Sequence, residues 1–219
     1  QTRGFLKQTQ NGETLGSAFL VGTIPSGKHY DYDVTAAVTA AFIQYDLAAS
    51  ENLNLSLGLR AERVDYNYDN KMIFGRTKDD GTECGFGGCR YNRPESRSDT
   101  FNNLSPKLGF NYTFGQHRFY GQLSKGFRAP QATELYRLQS GQNVAEIDSE
   151  SLESLEFGVR GNNSQLSYQL AAYVMKKDQF IFKDTTRANV DNGQTRHQGI
   201  EIEGNFALSD NFSVSANWA

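Results

Sequence analysis

Two cysteines and a run of cations are the residues here whose chemistry can be argued from type and spacing. Cys84 and Cys89 flank Gly-Phe-Gly-Gly in a polar stretch, with no histidine nearby to complete a zinc tetrad. A local disulfide is the favoured reading and two free thiols the alternative. Closing so small a loop stabilises by about 2 kcal/mol on the chain-entropy picture, enough to pin a loop but not a fold, and points to an oxidising, extracytoplasmic setting. Around the cysteines lie Arg76, Lys78, Arg90, Arg93 and Arg97, with Tyr91 available for stacking. Such a set suits an anionic chelate; the competing reading is that Asp79, Asp80, Glu83 and Glu95 neutralise it. The histidines are His29, His117 and His197. His197 follows Asp191 closely, yet no nucleophile converges on either, so catalysis is not expected. No residue set suggests a bound metal or cofactor.

These residues need elements to hold them, and composition narrows the choice. The chain has 219 residues, 37% hydrophobic, and a formal net charge of −3 spread along its length. That leaves no electrostatic footprint for nucleic acid. Mean hydropathy is −0.61, and no run approaches the roughly 18 apolar residues of a membrane helix. Gln1 opens no signal-peptide pattern. A transmembrane barrel stays open, because its strands alternate apolar and polar residues and never raise a hydropathy window.

From about Thr39 the dominant period is two. Leu53, Leu55, Leu57, Leu59 and Ala61 oppose Asn54, Ser56, Gly58, Arg60 and Glu62. Leu108, Phe110, Tyr112 and Phe114 oppose Lys107, Gly109, Asn111 and Thr113; Ile200, Ile202, Phe206 and Leu208 oppose Glu201, Glu203 and Asn205. Further strands are expected over 41–49, 117–127, 152–160, 166–182 and 212–218. Short polar turns at 50–52, 115–117, 162–164 and 209–211 alternate with long links at 67–99, 128–151 and 184–196, the rhythm of short periplasmic turns and long extracellular loops. Strands ending near Asp65, Phe127 and Asp184 then point outward. Tyr66, Tyr68, Phe101, Tyr112, Phe114, Phe127 and Trp218 sit toward segment ends, as interfacial aromatics do, although soluble sheets also place aromatics there. Residues 1–33 read as loop plus one short strand at 18–24. No helical period is sustained.

One stretch is more specific. Leu104 to Phe110, followed by Tyr120 to Tyr136 with Gly126, Phe127, Arg128, Ala129, Pro130, Glu134, Leu135 and Tyr136, resembles a signature of TonB-dependent receptor barrels. The segments Glu150 to Arg160 and Arg196 to Glu203 resemble two later strand motifs of that family, in order, and the likeness covers roughly residues 35–219. It implies an all-β, antiparallel up-and-down transmembrane barrel in the cell outer membrane, importing a scarce nutrient through a plugged lumen energised by the TonB complex. No plug or TonB-contacting segment is found, and the strands are too few for the 22-stranded class. The expectation is therefore one part of a single barrel domain, about eight or nine strands, surrounded by outer-membrane lipid. Haem receptors of the family carry a histidine soon after the Phe127 to Pro130 box and then an Asn-Pro-Asn-Leu box; both are missing, though His29 could face outside. A ferric siderophore is the default ligand. The rival readings are a complete small barrel serving as adhesin or anchor, a secreted carbohydrate-binding module and an outer-membrane hydrolase.

Overall fold

A computed structural model describes residues 1–139, 141–209 and 211–219. Nine strands form one antiparallel sheet: β1 (Thr2–Gln10), β2 (Gly27–Ala48), β3 (Leu53–Asn70), β5 (Arg97–Phe114), β6 (His117–Arg128), β8 (Glu150–Asn162), β9 (Leu166–Lys183), β10 (Asn189–Ser209) and β11 (Phe212–Trp218). Each pairs with its sequence neighbour in this sheet, an up-and-down meander open at β1 and β11. A second, two-stranded sheet pairs β4 (Tyr91–Asn92) with β7 (Leu138–Gln139), and two short helices, α1 (Ala18–Thr23) and α2 (Ala132–Tyr136), lie in the connections.

The expected short turns join β2 to β3, β5 to β6 and β8 to β9. At the turn expected over 209–211, Asp210 lies outside the described residues, as does Ser140 in the long link from 128 to 151. Three expectations are corrected. Residues 18–24 are not a strand: Ser17 accepts a hydrogen bond from the Leu20 N–H and caps α1. The strand is upstream, where β1 pairs with β2 from Thr2↔Ala36 to Gln10↔Gly27. Residues 189–196 are not a loop but the polar start of β10, leaving only Asp184 to Ala188 as connection.

Register shows why the strands run past the segments legible from hydropathy. Along β3 the pairing to β2 and β5 is unbroken, so alternate residues keep their faces throughout. Leu53 to Ala61 are apolar on one face; Arg63, Asp65, Asn67 and Asp69 continue that same face. The other face inverts in step, from Asn54, Ser56, Arg60 and Glu62 to Val64, Tyr66 and Tyr68. Both partners invert at the same place. On β2, Ile43 and Ala41 give way to Thr39 and Thr35 as their opposites become Val34, Tyr32 and Tyr30; on β5, Leu104 gives way to Asn102 and Thr100 opposite Phe101. A strand whose outer face turns from leucine to charge has left the hydrocarbon. The lower part is the lipid-facing wall, of the length expected for a tilted crossing strand; the upper part stands in water and turns its apolar face inward.

Tyr66, Tyr68 and Phe101 are therefore not interfacial girdle residues but part of an inward core. Tyr112 and Phe114 do lie on the apolar outer face near the short turns, where His117 and Tyr168 join them through a 2.6 Å hydrogen bond. Within the wall, aromatic rings lie over glycines on the next strand. A Cβ on Gly158 would meet the Tyr120 ring at 2.5 Å and the Leu170 carbonyl at 2.7 Å, so that position accepts no side chain without strand movement.

Candidate ligand-binding mouth

Above the polarity switch, the inner face of β2 and β3 supplies Tyr30, Tyr32, Val34 and Tyr68 to a buried cluster. The two longest links fold down onto it, contributing Cys84, Cys89, Tyr91, Leu135, Tyr136, Leu138, Ala145 and Ile147, with Ile181 from β9. Tyr136 stacks on Tyr68 at 4.3 Å, and its hydroxyl donates to Asp99 at 2.8 Å. Burial pushes the Tyr136 phenol up, which keeps that proton in place. The Tyr30 hydroxyl donates to the Leu138 carbonyl and the Tyr66 hydroxyl to the Pro130 carbonyl.

Arg128, in the signature box, sits on the inner face at the top of β6. It donates through Nη1 and Nη2 to the two carboxylate oxygens of Glu134, both at 3.1 Å, and through Nε to Glu150 at 2.7 Å. Glu134 also accepts from the Gln131 N–H at 2.7 Å, closing a capping box that starts α2. Glu150, its side chain 3% exposed, further accepts from Lys177 at 2.9 Å and from the Ile181 N–H at 2.8 Å. These donors, Arg128 foremost, hold the Glu150 carboxyl down at about 2. The box therefore ties the departing strand, the first turn of the loop and the returning strand together. Gly126 and Phe127 lead into it, Ala129 is half-buried, and Pro130 and Leu135 are buried.

The candidate cations divide. Arg93 is fully buried (1% exposed) and spends its guanidinium on backbone carbonyls, those of Ile73 and Thr77 at 2.7 Å and His29 at 3.3 Å. It organises the cysteine loop and is no free cation. Arg76 likewise donates to the Cys89 carbonyl at 3.0 Å. Tyr91 is buried against His29, with ring centroids 4.3 Å apart, and is not a surface stacking platform. His29 does not face outside either: its Nε2 lies 2.7 Å from the Pro25 carbonyl. Cys84 and Cys89 are joined in a disulfide. Lys78 and Arg90 are half-exposed, with no side-chain ion pair or hydrogen bond among the described residues. Arg97 pairs with Asp99 and lines a cavity of about 490 Å³ between the two links, together with Asn92, Glu95, Asn143, Phe74 and Val144.

Residues absent from the sequence expectation hold this cavity's walls. Asn92 donates to the Gln142 carbonyl and to Asn143, each at 2.8 Å, beside the β4–β7 pairing. Gln142 in turn bonds both backbone groups of Asn189. Neither pattern has a sequence signal, because each joins segments far apart in the chain. Glu150 does have a signal, since it opens the strand motif Glu150 to Arg160. A larger apolar hollow of about 660 Å³, between Tyr45, Leu57 and Leu123, belongs to the lipid-facing band.

An antiparallel wall with a nonpolar belt, short turns at one end and packed loops at the other defines a sector of an outer-membrane β-barrel. The sequence matches the profile described as "TonB dependent receptor-like, beta-barrel" over residues 4–219, and the chain belongs to that family. No curated protein matches it. Among solved structures, the chain is similar to the copper transporter OprC, with 20% identity and a TM-score of 0.66 over 89% of this chain and 28% of that one. It is similar to the ferric yersiniabactin uptake receptor FyuA from Yersinia pestis, with 15% identity and a TM-score of 0.61 over 87% of this chain and 28% of that one. The ferric-catecholate import receptor Fiu from K12 E. coli is 14% identical, with a TM-score of 0.62 over 98% of this chain and 33% of that one. The chain thus spans about a third or less of these relatives. Membership sets the chain in the outer membrane, in a family of transport receptors rather than enzymes, and sets aside the secreted module and the hydrolase.

Proposed function

We propose that this chain is one sector of a larger barrel, accompanied by a plug and a TonB-contacting segment, and that the whole receptor imports a small nutrient bound by its outward loops. The observation carrying this reading is the joint fold of the two longest links: they pack on one inward core and leave between them a cavity of about 490 Å³, the size of a small-molecule site. Arg97, though paired with Asp99, and the amides of Asn92 and Asn143 offer donors to an anionic chelate beside the acidic Glu95, and a ferric siderophore is the ligand proposed. Several structural relatives are receptors or transporters for ferric chelates, which supports that choice. Energisation by the TonB complex is part of the proposal.

The test is uptake of radioiron presented on a panel of siderophores by cells expressing the full-length receptor. Arg97→Ala combined with Asn143→Ala is expected to raise the half-saturating concentration of the transported chelate at least tenfold while the folded receptor stays abundant in the outer membrane. Failure of every ferric chelate in the panel, with another nutrient accumulating instead, would overturn the ligand. Uptake persisting without TonB would overturn the energisation.

A further inference from the structure

The charges around the cavity between the two links do not balance as a site for a purely anionic ligand would. Asp99 neutralises Arg97 and takes the Tyr136 hydroxyl on its other oxygen. Arg93 also lines the cavity, but it is 1% exposed and its guanidinium is turned onto backbone carbonyls. Glu95 lines the same cavity, is exposed and makes no ion pair or hydrogen bond among the described residues. The chain is nevertheless held on both sides of it: the Pro94 carbonyl accepts from the Asn70 side chain at 3.1 Å, and the Ser96 hydroxyl accepts from the Asn70 N–H at 3.0 Å. The backbone bridge between Gly75 and Arg93 lays the segment carrying Phe74 alongside, and the Phe74 ring, 59% exposed, lines the cavity with Val144.

We infer that Glu95 and Phe74 form a subsite for a protonated amine, and that the imported ligand is a ferric chelate carrying one. The inference rests on the reading of this cavity as the nutrient site. A carboxylate beside an exposed aromatic ring is the combination that recognises an ammonium: the acid accepts a charge-assisted hydrogen bond and the ring face adds a cation–π contact. In the free receptor the Glu95 carboxylate is hydrated and stable without a partner. Once a ligand fills the cavity and displaces that water, its charge needs a counter-charge, and both cations of the cavity wall are already committed, Arg97 to Asp99 and Arg93 to carbonyls. A ligand with anionic oxygens alone would press negative charge against Glu95. One with an ammonium at one end and chelating oxygens at the other meets Glu95 with the first, and the donors of Arg97 and Asn143 with the second.

The experiment measures binding to the purified full-length receptor of ferric chelates in matched hydroxamate, catecholate and carboxylate pairs, each bearing a free terminal amine or the same amine acetylated. Ferrioxamine B and its N-acetyl form make the hydroxamate pair. In any pair that binds, the amine form is expected to bind about tenfold tighter, the scale of one hydrogen bond to a charged group. Glu95→Gln, which breaks no contact within the protein, is expected to erase that difference and leave the affinity of the acetylated form unchanged. Phe74→Leu is expected to narrow the difference by about threefold. Acetylated forms binding as tightly as the amines, or Glu95→Gln weakening both members of a pair alike, would overturn the amine subsite and leave the ferric-chelate reading standing. Binding of no member of any pair would overturn both.

Discussion

Arg128 joins three stretches of chain that hydropathy gives no reason to bring together, and its neutral replacement should show which of them depend on it. Arg128→Gln leaves Glu150 buried with Lys177 and one backbone N–H as its remaining donors, a loss of about 1.5 kcal/mol, the scale of one hydrogen bond to a charged group. Proteolysis of residues 129–149 in the full-length receptor should accelerate accordingly. The acid dependence has a definite sign. Because the Glu150 carboxyl is held down at about 2, its contribution is complete above the ordinary glutamate range near 4.5 and is lost as pH falls toward 2. Loop protection should decline across that window and be flat there in Glu150→Gln. Two buried tyrosines give a contrast. Tyr136→Phe removes the bond to Asp99 and should cost about 1 kcal/mol, whereas the Tyr91 hydroxyl has no hydrogen-bond partner among the described residues, so Tyr91→Phe should be neutral or stabilise by up to about 1 kcal/mol in thermal unfolding. The signature residues were legible as a motif, but their roles were not. Arg93 and Arg76 read as free cations because sequence shows charge and hides the carbonyls that satisfy it.

At the scale of the element, β3 explains both what was legible and what was missed. Its lower half announces itself through Leu53 to Ala61; its upper half, Arg63 to Asp69, alternates just as cleanly but with the faces exchanged, and a reading that follows the leucine parity ends the strand near Asp65 and takes Asn67 onward for a polar loop. The same exchange hid the upper part of β2 and the start of β10, and β1 has too few apolar residues to reveal any face at all. Its pairing depends on β2, a tertiary cause that local sequence does not carry. The exchange makes a paired prediction. Leu57→Lys, on the lipid face, should destabilise the folded barrel by about 2 to 4 kcal/mol, while Asn67→Lys, on the same face of the same strand but above the switch, should change it by less than about 0.5 kcal/mol. Reversible unfolding of the full-length receptor in lipid vesicles measures both.

For the whole molecule, the short-long rhythm of connections predicts which end faces the periplasm and which the exterior, because that rhythm follows from the barrel's asymmetry across the membrane; the structure sets the short turns at one end and the two packed links at the other. The mouth was less legible. Its core combines Tyr30, Tyr68, Tyr91, Tyr136 and Leu138 from strands and loops distant in sequence, and two of these, Tyr91 and Tyr68, read from sequence as a stacking platform and an interfacial aromatic. The account rests on one boundary, between Ala61 and Arg63, below which the outer face meets lipid and above which the inner face builds the binding mouth. It is tested most directly by a nitroxide scan of positions 53–69 in the full-length receptor reconstituted in vesicles, comparing collisions with oxygen and with a water-soluble nickel chelate. Odd positions should favour oxygen through 61 and the nickel chelate from 63 onward, with labels at 64, 66 and 68 shielded from both. A single unbroken phase from 53 to 69, or labels at 64 to 68 as open to the nickel chelate as those at 63 to 69, would contradict it.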